Sequence, residues 1–212
     1  MRSFLDSDRR TVAALAAVPM AALLLGACGG SDSGDAASSE AATSSSTEAP
    51  APAGGDWLTS DCAVVAAPVS EASPPADSVV EGTVAVTSAA GVAPMVGIEA
   101  AAGSGPDFTI VDIAEGAGAP VAAGAEVTVE YCGIGMNTKA IFDSSWARGS
   151  SITFPLSGVI AGWQEGLPGM KPGGRRLLII PADKAYADSP PPGSGIEPGE
   201  SLLFVVDLIS SP

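Results

Sequence analysis

Phe142-Asp143-Ser144-Ser145 … Ile152-Thr153-Phe154-Pro155-Leu156 … Val159-Ile160-Ala161-Gly162-Trp163 is the stretch that decides the reading of this chain. Within about twenty residues a strand-like alternation gives way to helical spacing, with Val159 and Trp163 at i and i+4 on one face. A buried Asp, several aromatics and a Trp on a short helix would form a deep apolar pocket holding few polar groups.

Outward from that stretch, residues 108–212 have globular character. Strands are expected over Phe108–Ile113, Val127–Cys132, Ser151–Leu156, Arg176–Ile180 and Leu202–Ile209. Only Val159–Leu167 reads as a helix, stopped by Pro168-Gly169. Leu202, Phe204, Val206 and Leu208 share one face of the last strand, with Asp207 on the other. The expected fold is α+β: an antiparallel, strongly twisted sheet of about five strands wrapped on one short helix.

Composition narrows the chemistry. The 212 residues include 26 Gly and 18 Pro with 5% aromatics, a compact core diluted by unstructured sequence. Histidine is absent, which removes Ser-His-Asp and Cys-His catalysis and any His-based zinc site; no metal or other cofactor is expected. A formal charge of −15 makes nucleic acid an improbable partner, since phosphate backbones would be repelled.

The N-terminus reads as an address. Arg2, Arg9 and Arg10 precede an apolar run from Val12 to Ala27, too short and wrongly flanked for a membrane span. It ends Leu25-Gly26-Ala27-Cys28, which resembles the lipobox of bacterial lipoproteins, in which the Cys becomes the lipidated first residue. Two acyl chains, each worth about 0.8 kcal/mol per buried CH₂, would anchor the protein stably on the extracytoplasmic face of the cell membrane. Arg9-Arg10 fits a twin-arginine export signal poorly. Cleavage before Cys28 would leave 6 basic against 22 acidic residues, so no cationic patch assists the lipid.

The expected organisation is a signal peptide (1–27), a lipidated Cys28 with a disordered linker (28–56), an extension (57–106) and a C-terminal domain (107–212). From Gly29 to Asp56 nothing exceeds Ala and Pro in apolarity, so the segment cannot offset its ordering entropy. Its random-coil span is on the order of 30 Å. The extension is the least legible part. Gly82–Thr87 alternates like a strand and Val96-Gly97-Ile98 does so feebly. It is expected to lack a core of its own and to lie on the C-terminal domain as a strand or covering loop. Strand parity puts Val127, Val129 and Tyr131 on one face and turns Thr128, Glu130 and Cys132 outward, where Cys132 could meet Cys62 from a crossing segment. The alternative is two unpaired thiols.

Four blocks in order resemble the FKBP-type peptidyl-prolyl isomerases: Val129-Glu130-Tyr131-Cys132-Gly133, Phe142-Asp143-Ser144-Ser145, Val159 to Gly166, and Gly169-Met170-Lys171-Pro172-Gly173-Gly174. Pro181, Ala185-Tyr186, Ile196-Glu197-Pro198 and Leu202-Leu203-Phe204 continue the likeness, which covers about residues 108–212. The whole resembles an FKBP lipoprotein of actinobacterial style. The resemblance implies a pocket floored by Trp163 and walled by Tyr131, Phe142, Phe154, Val159, Ile160 and Phe204, with Tyr186 and Ile196 from a loop. Ile152 stands where the family has a larger aromatic. Asp143 matches the family's buried carboxylate, either orienting groups such as the Tyr131 hydroxyl or facing the substrate carbonyl carbon. The resemblance implies Tyr131, Phe142, Asp143 and Tyr186 as catalytic, with the Ile160 N–H and the Tyr186 hydroxyl holding the substrate carbonyl.

Taken singly, each residue has a plainer reading. Asp143 before two serines is ordinary turn chemistry, Trp163, Phe154 and Phe204 are core residues, and Tyr186 is a surface Tyr. Their joint occurrence at the family's separations carries the functional one. Departures cluster at Ala187-Asp188, where the family has Gly, in the Pro190-Pro191-Pro192 loop, and at the Gly135–Thr138 turn. The expected activity is isomerisation of X-Pro bonds in exported proteins, by a monomer whose partners are proline-containing polypeptides and macrolide inhibitors. A catalytically weak proline-peptide binding module is the alternative. A structural or small-molecule-binding lipoprotein has little beyond the lipobox to support it.

Overall fold

The computed structural model describes residues 56–105 and 107–212. The expected signal segment, Cys28 and all of the expected linker except Asp56 lie outside the described residues.

The extension differs from expectation. It is a five-stranded antiparallel sheet of β1 (Trp57–Asp61), β2 (Val69–Glu71), β3 (Ser78–Glu81), β4 (Val84–Thr87) and β5 (Met95–Glu99), ordered β2-β1-β5-β4-β3. It is neither a covering loop nor a strand added to the C-terminal sheet. Val84, Val86, Val96 and Ile98 are buried against the C-terminal domain. On the outer face Trp57 lies over Gly97, where a Cβ would come within 3.1 Å of the indole and 2.8 Å of Pro75.

The C-terminal sheet has six strands. β6 (Thr109–Ala114), β10 (Arg175–Ile180), β11 (Leu202–Ser210), β7 (Glu126–Gly135) and β8 (Ile141–Ser144) lie in that order, and β9 (Ile152–Pro155) also pairs with β7. β8 was missed as a strand because its four residues coincide with the polar Phe-Asp-Ser motif. The helix is shorter than its spacing predicts. α2 runs only Ala161–Gly166, so Val159 precedes it in extended backbone (φ −112°, ψ 177°) after a 3-10 turn. A one-turn helix, α1 (Ser145–Arg148), is added after β8, capped by the Ser144 hydroxyl accepting from Ala147 N and ended by Gly149 at φ 69°.

The C-terminal sheet is a middle layer, buried on both faces. Val127, Val129, Leu178, Ile180, Leu202, Phe204, Val206 and Leu208 pack with Trp163 and Leu167 on the helix side. Cys132, Ile134, Leu177, Leu203 and Val205 pack against the extension. Cys132, expected to face outward, is fully buried for that reason, and it is joined to Cys62 by a disulfide with Cα atoms 5.9 Å apart.

Polar contacts fasten the two sheets. Arg175 is fully buried: its Nε donates to Asp207 Oδ1 at 2.6 Å, its Nη2 to Oδ2 at 2.9 Å, and its Nη1 to the Thr87 carbonyl at 2.9 Å. Gly91 N donates to Asp207 Oδ2 at 2.6 Å. With every polar atom so engaged, the pair avoids the several kcal/mol that an unpaired buried ion costs. Lys139, also buried, donates to the Ala102 and Met136 carbonyls, and burial lowers its pKa. Asn137 Oδ1 accepts from Ser104 N at 3.1 Å, so the connector is held to the C-terminal domain.

Candidate active site

The site is built where β7, β8, β9, α2 and β11 converge. Tyr131 projects from β7, Phe142 and Asp143 from β8, and Phe204 from β11; Trp163 rises from α2 beneath them. The register sets Phe204 opposite Gly133. Glycine is required there, because a Cβ would lie 2.5 Å from the Phe142 ring and 2.9 Å from that of Phe204. With that space free, Phe142 and Phe204 meet edge-to-face at 5.5 Å. Trp163 meets Phe204 at 5.1 Å and Tyr131 at 5.5 Å, both near perpendicular, and Phe154 at 5.5 Å. Such pairs add about 0.5–1.5 kcal/mol each beyond area burial and hold the rings in fixed attitudes.

The rings enclose a cavity of about 460 Å³, within the about 300–1,000 Å³ range of small-ligand sites. Tyr131, Phe142, Asp143, Ile152, Phe154, Val159, Ile160, Trp163, Tyr186 and Phe204 all line it, together with Gly158. Of the residues expected there only Ile196 does not; it is half-buried against the adjoining core. Ile152 is 39% exposed, so the smaller side chain leaves that wall open.

Asp143 is not the buried carboxylate of the sequence reading: its side chain is 40% exposed. It sits at the mouth because Arg148 answers it. The turn of α1 carries Arg148 back so that Nη1 pairs with Asp143 Oδ1, while Tyr131 Oη donates to Asp143 Oδ2. Arg148 Nη2 reaches Tyr131 Oη at 3.2 Å, and the guanidinium lies 5.5 Å from that ring. A pair this exposed contributes about 0–1 kcal/mol to stability, so its consequence is orientation. Burial, and secondarily the Asp143 hydrogen bond, push the Tyr131 hydroxyl up to about 12. The sequence reading overlooked Arg148; the signal available was a basic residue closing a turn capped by Ser144.

Few polar atoms face the cavity. The Trp163 N–H is buried with no acceptor among the described residues, so the floor offers the ring rather than a donor. The Ile160 carbonyl caps α2 by accepting from Trp163 N and Gln164 N. The Ile160 N–H and the Tyr186 hydroxyl find no partner among the described residues, and both belong to lining residues.

The loop bearing Tyr186 and Ile196 has its own supports. Ala187, in the place of the family's glycine, adopts left-handed backbone at φ 48°; its N donates to Ala182 O at 2.7 Å and its carbonyl accepts from Gly199 N at 2.9 Å. Glu200, also overlooked, is buried. One carboxylate oxygen accepts from Asn137 N (2.9 Å) and Thr138 N (2.8 Å), and the other from Glu197 N (2.9 Å). It thereby ties the loop to the unusual β7–β8 turn.

The chain is similar in sequence to proteins of one family. The family model described as FKBP-type peptidyl-prolyl cis-trans isomerase matches residues 118–209, beyond the five-stranded sheet. A probable FK506-binding protein of Corynebacterium glutamicum is 52% identical over 116 residues, 54% of this chain and 96% of that one. The FK506-binding protein of Streptomyces anulatus is 49% identical over 106 residues, 49% and 86% of the two chains. The crystal structure of AtFKBP13 covers 52% of this chain and 98% of that one at 32% identity, with a TM-score of 0.45. A relative matched over nearly its whole length at this identity leaves one conclusion: the chain belongs to the FKBP-type peptidyl-prolyl cis-trans isomerase family.

Proposed function

We propose that the chain is a lipid-anchored, extracytoplasmic peptidyl-prolyl cis-trans isomerase that turns X-Pro bonds in exported polypeptides. The observation that carries this reading is the aromatic cavity with a single polar cluster, Tyr131-Asp143-Arg148, at its mouth. Isomerisation needs no covalent bond to break. The barrier of about 18–20 kcal/mol reflects amide resonance, and uncatalysed exchange takes tens to hundreds of seconds. The planar amide is more charge-separated than the twisted one, so a dry aromatic cavity favours the twisted form.

In this reading the prolyl ring rests on Trp163 between Tyr131, Phe154 and Phe204. The Ile160 N–H and the Tyr186 hydroxyl receive the substrate carbonyl. Asp143 has its two oxygens engaged by Arg148 and Tyr131, which supports the orienting role over a direct approach to the carbonyl carbon. FK506-type macrolides would compete for the same cavity. Export and anchoring rest on the lipobox at Cys28; the Cys62–Cys132 disulfide supports an oxidising compartment. The protein acts as a monomer.

The test is isomerisation of an X-Pro tetrapeptide, assayed without protease, by leaderless Cys28→Ser protein beside Asp143→Ala. Catalysis should fall about tenfold or more in the variant, some 1.4 kcal/mol of barrier, and FK506 should block it. Peptide that quenches Trp fluorescence with no turnover would leave a proline-binding module.

A further inference from the structure

The extension carries a second concavity on the face turned away from the C-terminal domain. Trp57, Thr59 and Asp61 share that face of β1, and the register sets Glu71 and Val69 of β2 across from Trp57 and Thr59. The β1–β2 connection, with Val64, folds over them and closes a cavity of about 200 Å³. That is below the about 300–1,000 Å³ of a small-molecule site and suits one apolar side chain.

Three observations point to an occupant. First, Thr59 lines the cavity at 8% exposed, and its buried hydroxyl has no hydrogen-bond partner among the described residues. A native structure ordinarily satisfies such a group, and leaving it bare costs about 1–3 kcal/mol. Second, Val64 and Val69 at the rim are 52% and 60% exposed, which prolongs the apolar surface outward. Third, Asp61 and Glu71 flank the site, and residues 57–105 contain five acidic residues and no Lys or Arg. A field of one sign favours a cationic partner.

We propose that this groove is an exosite for client polypeptide: it takes an extended segment presenting one branched apolar side chain beside Lys or Arg. The apolar side chain fills the cavity beside Thr59, and Asp61 and Glu71 receive the basic neighbour. The inference rests on the reading of the protein as an isomerase of polypeptides. A grip outside the catalytic cavity raises the local concentration of prolyl bonds near it without itself reading proline.

The probe is a fluorescein-labelled, proline-free dodecapeptide of Leu, Ser and Lys, compared with its counterpart having Glu for Lys. Binding to the leaderless protein is followed by anisotropy. The Lys peptide should saturate on the order of 10–100 μM, with the Glu peptide weaker by about fivefold or more. Val64→Asp/Val69→Asp and, separately, Glu71→Lys should weaken the Lys peptide by about fivefold or more. All three positions are at the surface, so tetrapeptide isomerisation by these variants should stay within about twofold of wild type. Wild type that isomerises the tetrapeptide but does not distinguish the two peptides, or variants that bind like wild type, overturns the exosite and leaves the isomerase reading standing. A wild type inactive on the tetrapeptide strikes that reading instead. A dimer in sedimentation that Val64→Asp/Val69→Asp dissociates would assign the groove to self-association and also overturn the proposal.

Discussion

The two faces of β11 do different work with alternate residues of one strand. Leu202, Phe204, Val206 and Leu208 face the helix side, where Phe204 becomes a cavity wall. Leu203, Val205 and Asp207 face the extension, where aliphatic packing and the Asp207–Arg175 pair join two sheets. The first face lends a ring, Phe204, to an aromatic wall around a void; the second is aliphatic, ionic and closed. An aromatic wall can hold a cavity open because its rings brace one another at fixed angles, whereas an aliphatic layer gains most by leaving no space. Changes on the closed face should therefore register as stability, and changes on the open face as activity.

The largest expected effect breaks the closed face at its charge. Asp207→Ala leaves Arg175 buried and unpaired and should cost about 3–5 kcal/mol, read from urea unfolding. The double change Arg175→Met/Asp207→Leu should recover most of it; failure to recover would mean the ion pair is needed for more than neutrality. Next, Cys62→Ser/Cys132→Ser opens a loop whose ends are 70 residues apart and should cost roughly 2–4 kcal/mol, with tetrapeptide isomerisation within about twofold of wild type. A large loss of turnover there would show that the closed face also tunes the cavity.

On the open face, Tyr131 supplies a pH test. Its hydroxyl is raised from 10.0 to about 12 in the folded protein, so the folded state holds the proton more tightly than the unfolded chain. That stability is fully present below about pH 10 and is lost as pH rises towards about 12. Tyr131→Phe should flatten this alkaline loss in a series of thermal melts, and it should remove the highest-pH step in the ultraviolet phenolate titration. The smallest effect sharpens the comparison at the rim loop. Ala187→Gly relieves a left-handed backbone and should stabilise the protein by up to about 1 kcal/mol in thermal melts. An unchanged or lower midpoint would mean the Ala187 methyl makes contacts that offset its backbone conformation.

Legibility followed the same division. Phe142, Asp143, Phe154, Val159, Ile160 and Trp163 form a compact run whose spacing and resemblance point to the cavity, and they do line it. Arg148 and Glu200 were not legible. Each acts through a partner that only folding brings near: Arg148 returns over Asp143 after one helical turn, and Glu200 reaches the Asn137-Thr138 backbone across more than sixty residues. The sheet of the extension was not legible because its apolar residues are few and small. Half a core suffices when the other half is Ile134, Leu177, Leu203 and Val205 of another sheet.

The sequence by itself determined the strand alternation of the C-terminal domain, which depends on residue type at short, fixed spacing, and the family, whose ordered motifs implied the aromatic set of the cavity. Tertiary structure alone decided that Asp143 is an exposed, Arg-paired group, that Cys132 is buried rather than outward, and that residues 57–99 form a sheet. Those outcomes depend on what covers a face, and a period of two along a strand says which residues share a face but not what lies against it.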